Sequence, residues 1–206
     1  MSNLALFAFT ASSFVQAFVL LFSVYDAVGT VPVFLALTED FAKDRKKIVN
    51  QGVLIAAIIL IVFAYLGPYI FSVLGITIDD FKIAGGIILF IIAIDNLRGK
   101  ISETRSLGPV EIAAFPLATP LLAGPGAISA VIIFAGPPYG PVLDLLVIIG
   151  NSLLAWIILG RATLVQRLLG RQGTQVFTRL VGILIASIGV AFVTEGIIAI
   201  VRSVGV

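Results

Sequence analysis

A single acidic residue, Asp26, interrupts an uncharged apolar run over residues 4–38. An acidic side chain inside a membrane costs at least about 2.5–3.5 kcal/mol on insertion scales, and such residues usually have a function. Asp26 is followed by Gly29, Thr30 and Pro32, which predict a break in the helix over residues 26–32. Two compatible roles are open for Asp26. It caps the helix that restarts after the break, or it binds a substrate ammonium group, a coupling cation or a proton.

A second interruption lies at residues 115–129, inside another uncharged run. Pro120 and Pro125 each remove a backbone donor and clash with the preceding turn, whereas Gly124 and Gly126 allow the backbone to leave helical geometry at low cost. Backbone groups freed in a membrane need partners inside the protein or in a water-filled cavity. The break therefore predicts either a solute site or a kinked helix whose small residues allow close packing.

The second break also has the chemistry of an anion site. A half-helix that starts after Gly124 would point its free N–H groups and its positive dipole end at a carboxylate. A cation site at one break and an anion site at the other suit a zwitterion, and the small residues around Gly124 suit a small one. The predicted substrate-binding residues are Asp26, Gly29, Thr30, Thr119, Pro120, Gly124, Pro125, Gly126 and Ala127.

Four further polar residues lie in or beside apolar segments. Glu195 is a second candidate for the coupling ion, with a salt bridge to Arg202 as the alternative. Asp95, three residues before a basic residue, predicts an interfacial salt bridge. Asn151 either donates a hydrogen bond to a neighbouring helix or contacts the substrate. Tyr25 belongs either to an interfacial aromatic belt or to a cavity wall.

The composition places these residues in a membrane. The 206-residue chain is 60% hydrophobic and 12% charged, whereas soluble domains are about 25% charged. Its apolar runs are continuous, unlike β-barrel strands, which alternate with a period of two. The chain has no Cys and no His, which excludes thiol chemistry, His or Cys metal sites and a His-based triad. We therefore expect one all-α transmembrane domain over residues 1–206, with no cofactor, no metal site and no enzymatic activity.

Six apolar segments predict six transmembrane helices, because a helix needs about 20 residues to cross a bilayer. The first, third and fifth connections carry four, three and four basic residues, while the second and fourth carry none. This alternation predicts orientation in the cell membrane, with both termini outside the cytoplasm, rather than a nucleic-acid partner. The predicted spans are residues 4–38, 52–66, 81–94, 112–135, 142–159 and 180–201.

The two halves of the chain share an order of features. Each has a broken span, a plain span and a span with the pattern Phe-x4-Gly-Ile, which starts at Phe81 in residues 4–98 and at Phe177 in residues 111–202. Three spans per repeat is an odd number, so the second repeat must be inverted relative to the first. Interrupted helices at matching places of two inverted repeats indicate a transporter's binding site near the middle of the membrane.

Three strings of residues carry a family resemblance. They are Asp26-x-x-Gly29-x-x-Pro32, Ile83-Ala84-Gly85-Gly86-Ile87 and Phe115-Pro116-Leu117-Ala118-x-Pro120-Leu121-Leu122-Ala123-Gly124-Pro125-Gly126-Ala127-Ile128. The chain resembles the MarC/SnatA family (UPF0056) of bacterial and archaeal inner-membrane proteins, with Ala27 as a departure, since Pro more often follows the Asp. The resemblance implies a multi-pass protein of six spans and, for characterised archaeal members, transport of small neutral amino acids such as glycine and alanine.

Together these observations predict a secondary active transporter of small neutral amino acids that works by alternating access. A proton or a sodium ion is the expected coupling ion. Membrane lipid is a further expected partner, and assembly into a homo-oligomer is left open. Two alternatives remain: an exporter of other small solutes, which would have a wider and more apolar cavity, and an integral-membrane enzyme. An enzyme would need a nucleophile or a metal cluster, and the sequence has no His, no Cys and only scattered acids.

Overall fold

The computed structural model describes residues 3–97 and 108–203, with side chains outside the description at 3–11, 92, 95–97, 165–182 and 184–185. All regular elements in these residues are helical, as the sequence predicts. The helices are α1 (Asn3–Tyr25), α2 (Ala27–Leu37), α3 (Arg45–Leu74), α4 (Ile78–Leu97), α5 (Pro109–Ile112), α6 (Pro125–Ala135), α7 (Pro141–Gly160) and α8 (Ala162–Ser203). Between α5 and α6, Ala113–Leu122 forms wide, π-type turns with non-helical interruptions.

Four helical stretches of the described chain are long and apolar enough to cross a membrane: Ser12–Leu37, Arg45–Leu74, Pro141–Leu164 and Ala186–Ser203. A fifth is obtained if Pro109–Leu122 and Pro125–Ala135, which meet at an angle of 64°, form one span. The structure therefore supports four or five spans by length and composition, against the six predicted. The difference is α4, which carries three charged residues in its first five positions and a fourth near its end.

Helix α3 is longer than the sequence predicts. It begins at Arg45, passes through Gly67 and Pro68 and continues to Leu74, whereas the predicted span covers residues 52–66. Gly75 then adopts a left-handed conformation with φ 66° and ψ 26°. The N–H groups of Gly75 and Ile76 bond to carbonyl groups of the last turn, which is a common way for a helix to end at glycine.

The prediction of a basic loop between the spans 142–159 and 180–201 is wrong. Only Arg161 separates α7 from α8, and α8 is one helix of 42 residues, with a length of about 63 Å. The stretch contains Leu, Gln and Arg, which favour helix and offset its glycines, each of which costs about 1 kcal/mol. The basic residues of this stretch therefore belong to a helix rather than to a loop.

Helices α4 and α8 pack with their backbones in direct contact at Gly86 and Gly189. A Cβ atom added to Gly86 would lie 2.5 Å from the Gly189 carbonyl oxygen, and one added to Gly189 would lie 2.6 Å from the Gly86 carbonyl oxygen. Small residues allow such an approach between membrane helices. Leu89 and Phe192 lie three positions beyond these glycines and so project from the same side of each helix, where both line one cavity.

The outer faces of the long helices are apolar and exposed. Leu54 and Ile58 lie one turn apart on α3, and Leu146 and Leu153 lie two turns apart on α7; all four side chains are exposed. Contiguous exposed apolar surface is typical of a membrane or protein interface. On helices of this length and hydropathy it is the surface that a bilayer would cover.

Candidate functional site

Asp26 forms the first break alone. It joins α1 to α2 in a left-handed conformation, with φ 39° and ψ 52°, which Asp tolerates better than most residues. Its Oδ1 atom accepts a hydrogen bond of 3.0 Å from the Gly29 N–H, and its backbone N–H and carbonyl bond to Phe22 and Thr30. The capping role is therefore present in the structure. The break is shorter than the predicted range of residues 26–32, because Pro32 lies inside α2.

Gly29 makes room for this cap. A Cβ atom added at position 29 would overlap the carboxylate of Asp26. Glycine therefore allows the carboxylate to lie over the first turn of α2, and a larger residue would displace it. The spacing Asp26-x-x-Gly29, which the sequence singled out as a break signal, has a direct steric basis here.

The second break is larger. Phe115 and Thr119 have extended backbones, with φ and ψ of −143° and 124° and of −133° and 123°, and each precedes a proline in a cis peptide bond. Ala123 donates its N–H to the Ala118 carbonyl at 2.8 Å. Gly124 is extended again, with φ −79° and ψ 172°, and α6 is regular from there on. The predicted break at 115–129 is thus confirmed in its first ten residues.

The N-terminus of α6 leaves backbone donors without a helical partner. Pro125 is its first residue and has no N–H, and the N–H of Ile128 already bonds to the Gly124 carbonyl at 3.0 Å. The N–H groups of Gly126 and Ala127 lie between them, in the positions that an α-helix cannot satisfy internally. Gly124 offers no side-chain cap. This helix end can therefore donate to an anion.

The two breaks line the same cavity, which has a volume of about 260 Å³. Five of the nine predicted binding residues lie on its wall: Asp26, Gly29, Thr30, Pro120 and Gly124. The remaining lining comes from helices on either side, namely Ser23, Val24 and Val33 near the first break, Leu121 at the second, Leu89 on α4, and Ile188, Ala191 and Phe192 on α8. Among these residues Asp26 is the only one with a charged side chain, so it is the only side chain of the wall that could form an ion pair with a ligand.

The strings that border this cavity belong to a known family. The family model for MarC family integral membrane proteins matches residues 11–201. The chain belongs to the MarC family. A UPF0056 membrane protein of Methanocaldococcus jannaschii is 36% identical over 198 residues, which cover 89% of this chain and 95% of the relative. A UPF0056 membrane protein of Archaeoglobus fulgidus is 38% identical over 198 residues, which cover 90% of this chain and 92% of the relative. No solved structure matches the chain.

Four predicted binding residues of the MarC-family chain lie outside the cavity wall: Thr119, Pro125, Gly126 and Ala127. Gly126 packs against two residues of the wall, since a Cβ added there would lie 3.3 Å from Phe192 Cζ and 3.6 Å from Val24 Cβ. Pro125 instead packs against Gly85, where an added Cβ would overlap its ring. The first turn of α6 therefore packs against residues of the cavity wall without lining the cavity itself.

The second coupling-ion candidate, Glu195, is exposed and does not line the cavity. It forms no ion pair with Arg202 in the described part of the chain. Tyr25 is fully buried, with its hydroxyl 3.5 Å from Ser152 Oγ, so it is neither a belt residue nor part of the cavity wall. The Asp95 side chain lies outside the described residues.

The sequence assigned no role to Asp144, which the structure buries completely. Its exposed fraction is 0%, and neither carboxylate oxygen has a hydrogen-bond partner among the described residues. Asn151, two turns further along α7, donates to the Phe18 carbonyl of α1 at 3.3 Å, which confirms the interhelical hydrogen bond as one of its two predicted roles. The spacing of seven residues puts both on the same face of α7 and is the signal that would have revealed this buried polar face.

Proposed function

We propose that this MarC-family protein is a secondary active transporter of a small neutral amino acid, such as glycine or alanine, coupled to a proton or sodium gradient. One observation carries the proposal: the first break, at Asp26, and the second break, which ends at Gly124, line a single cavity. In membrane proteins, non-helical backbone at depth is tolerated where it lines a cavity. Paired broken helices around such a cavity are the usual form of a transporter's binding site.

Asp26 is proposed to meet the positive charge of the substrate or of the coupling ion. Its Oδ1 atom bonds to Gly29, which fixes the carboxylate at the cavity wall. The Gly124 end of α6, which lies on the cavity wall, is proposed to attract the substrate carboxylate through its positive dipole end. A cavity of about 260 Å³ is smaller than the roughly 300–1,000 Å³ of sites for drug-sized ligands, which favours a small substrate over the larger solutes of an exporter.

The proposed architecture is that of two inverted repeats of three spans each. The element order supports it, because the span α1–α2, which is interrupted at Asp26, is followed by α3 and α4, and the bent pair Pro109–Leu122 and Pro125–Ala135 is followed by α7 and α8. The half-helices α2 and α6 that follow the two breaks have 11 residues each. Rocking of one repeat against the other would open the cavity to either side of the membrane. We place both termini outside the cytoplasm, because the basic connections mark the cytoplasmic side.

Uptake of radiolabelled glycine into proteoliposomes tests this function. A proton gradient and a sodium gradient are imposed separately, with protein-free liposomes as the baseline. We expect accumulation driven by one of the two gradients. Folded protein that accumulates neither glycine nor alanine under either gradient, in either orientation, would overturn the proposal.

Two neutral variants then identify the acid that is used. Asp26→Asn should abolish gradient-driven uptake, because the amide keeps the shape but not the charge. Glu195→Gln is the matched comparison, since Glu195 is an exposed acid of α8 outside the cavity wall, and it should transport normally. If Asp26→Asn transports normally and Glu195→Gln does not, the coupling role belongs to Glu195.

A further inference from the structure

A second cavity, of about 380 Å³, lies between the start of α3 and the end of α7. These are ends of two candidate membrane spans, Arg45–Leu74 and Pro141–Leu164. The cavity shares no lining residue with the one at the helix breaks. It is lined by Phe34, Ala42, Lys43, Arg45, Lys46, Val49, Asn50, Trp156, Ile157, Leu159, Gly160, Arg161 and Thr163. We call it the basic interfacial cavity.

Four cations and no acid line this cavity among the described residues. Lys43, Lys46 and Arg161 are exposed, and none of them forms an ion pair with another described residue. Arg45 is only 7% exposed, and its Nε donates to Thr38 Oγ1 at 2.9 Å. The cavity therefore brings together positive charges from residues 43–46 and from Arg161, which lie more than a hundred positions apart. Basic residues that only set the orientation in the membrane would not need to meet in one cavity.

The other side of the cavity is suited to lipid. Trp156 is 43% exposed, and its indole N–H donates to Asn50 Oδ1 at 2.7 Å, which fixes the ring across the gap between α7 and α3. Trp is typical of the level at which headgroups meet acyl chains. Next to it, Ile157 is exposed, and Leu153 continues the exposed apolar surface one turn back along α7. A phosphate at the cations would thus have an apolar surface beside it.

We propose that the basic interfacial cavity binds the phosphate group of an anionic phospholipid, with an acyl chain along Ile157 and Leu153. Basic pockets between transmembrane helices on the cytoplasmic side recognise anionic headgroups in this way. The basic connections predict that this end of the helices faces the cytoplasm. A free phosphate ion would use the cations but not the apolar surface, so the two ligand sources can be separated.

Binding is measured on the purified full-length protein in detergent, by native mass spectrometry and by thermal unfolding. The probes are phosphatidylglycerol, phosphatidylcholine and inorganic phosphate. We expect phosphatidylglycerol to stay bound and to raise the unfolding temperature, and the other two to do neither at equal concentration. Equal retention of phosphatidylcholine, or equal stabilisation by inorganic phosphate, would overturn the proposal.

Charge-neutral variants locate the site. Lys43→Gln and Lys46→Gln should each weaken phosphatidylglycerol binding about fivefold, and Arg161→Gln should do so from the other side of the cavity. Lys47→Gln is the matched control, because Lys47 is exposed and adjacent in sequence but does not line the cavity. Weakening by Lys47→Gln as large as that by Lys46→Gln would show a diffuse surface attraction and overturn the site.

Discussion

Asp26 and Gly124 are the residues before the first turns of α2 and α6, and both lie on the wall of one cavity. The two helix starts differ in chemistry. At α2 the carboxylate of Asp26 accepts a hydrogen bond from the Gly29 N–H, whereas at α6 no side chain caps the helix. The proposed function uses this difference, because it assigns the positive charge of the substrate or of the coupling ion to Asp26 and the substrate carboxylate to the Gly124 end of α6.

Asn and Ala at position 26 should separate the structural role of this residue from its functional one. Asn caps helices about as well as Asp and tolerates the left-handed conformation, so Asp26→Asn should unfold at nearly the wild-type temperature while losing transport. Asp26→Ala loses the cap as well and should be less stable by about 1–2 kcal/mol. Thermal unfolding in detergent and glycine uptake measure the two effects. Normal uptake by Asp26→Asn would reduce Asp26 to a cap.

Gly29→Ala should impair transport with little change in stability. The added Cβ would overlap the Asp26 carboxylate and displace it from the cavity wall. The lost cap costs about 1 kcal/mol, and the gain in helix propensity from Gly to Ala returns a similar amount. Glycine uptake should therefore show a raised KM at a nearly unchanged unfolding temperature.

Gly160→Ala is the control for this effect, because no atom lies within 4 Å of a Cβ added at position 160. It should leave the KM for glycine as in the wild type. A Gly29→Ala variant with wild-type KM would show that the position of the Asp26 carboxylate does not matter for transport.

The sequence predicted the two breaks because their causes are local. Asp26 and Gly29 act on each other across one turn, and the extended residues at the second break directly precede Pro116 and Pro120. The sequence did not show which side of α6 faces the cavity. That side depends on the 64° bend between the two segments, so Ala127 and its neighbours were assigned to the wall although they do not line it.

Features formed by residues that are distant in the sequence could not be predicted from local sequence patterns. The basic interfacial cavity needs Lys46 and Trp156 side by side, and nothing local relates these positions. The continuity of α8 depends on a balance between good helix formers and glycines, each worth a few tenths to about 1 kcal/mol, which turn signals alone do not weigh.

Gly189→Ala should destabilise the α4–α8 pair. The added Cβ would lie 2.6 Å from the Gly86 carbonyl oxygen and 2.9 Å from the Phe90 backbone nitrogen, so one helix must move away. Overpacking of this kind costs about 1–3 kcal/mol. Because Phe192 lies one turn further on α8 and lines the cavity at the helix breaks, we expect slower glycine uptake together with a lower unfolding temperature. Wild-type stability would mean that the two backbones are not in contact.

Thr77 and Asp80 should make stability depend on pH in the acid range. Asp80 Oδ2 accepts hydrogen bonds from the Thr77 N–H at 2.8 Å and from the Thr77 hydroxyl at 2.7 Å, and the Asp80 N–H donates back to Thr77 Oγ1 at 3.1 Å. The Thr77 side-chain and backbone hydrogen bonds lower the pKa of Asp80 from its ordinary value of 3.8.

Because the pKa of Asp80 is lowered in the folded state, its hydrogen bonds with Thr77 stabilise the start of α4 fully above the ordinary pKa. This stabilisation is lost as the pH falls through the lowered pKa. Unfolding temperatures measured below pH 5 should therefore fall more steeply for the wild type than for Asp80→Asn. Parallel curves for the two proteins would contradict the prediction.

Asp144→Asn should stabilise the protein. Asp144 is fully buried in a candidate span, and its two carboxylate oxygens have no partner among the described residues. A charge in that position carries a cost of about 2.5–3.5 kcal/mol on insertion scales, which the amide of the same shape avoids in large part. The unfolding temperature should rise by about 2–4 °C for each kcal/mol gained. A lower unfolding temperature would instead show that the carboxylate is held by a favourable interaction, and reduced glycine uptake by the variant would assign that interaction to transport.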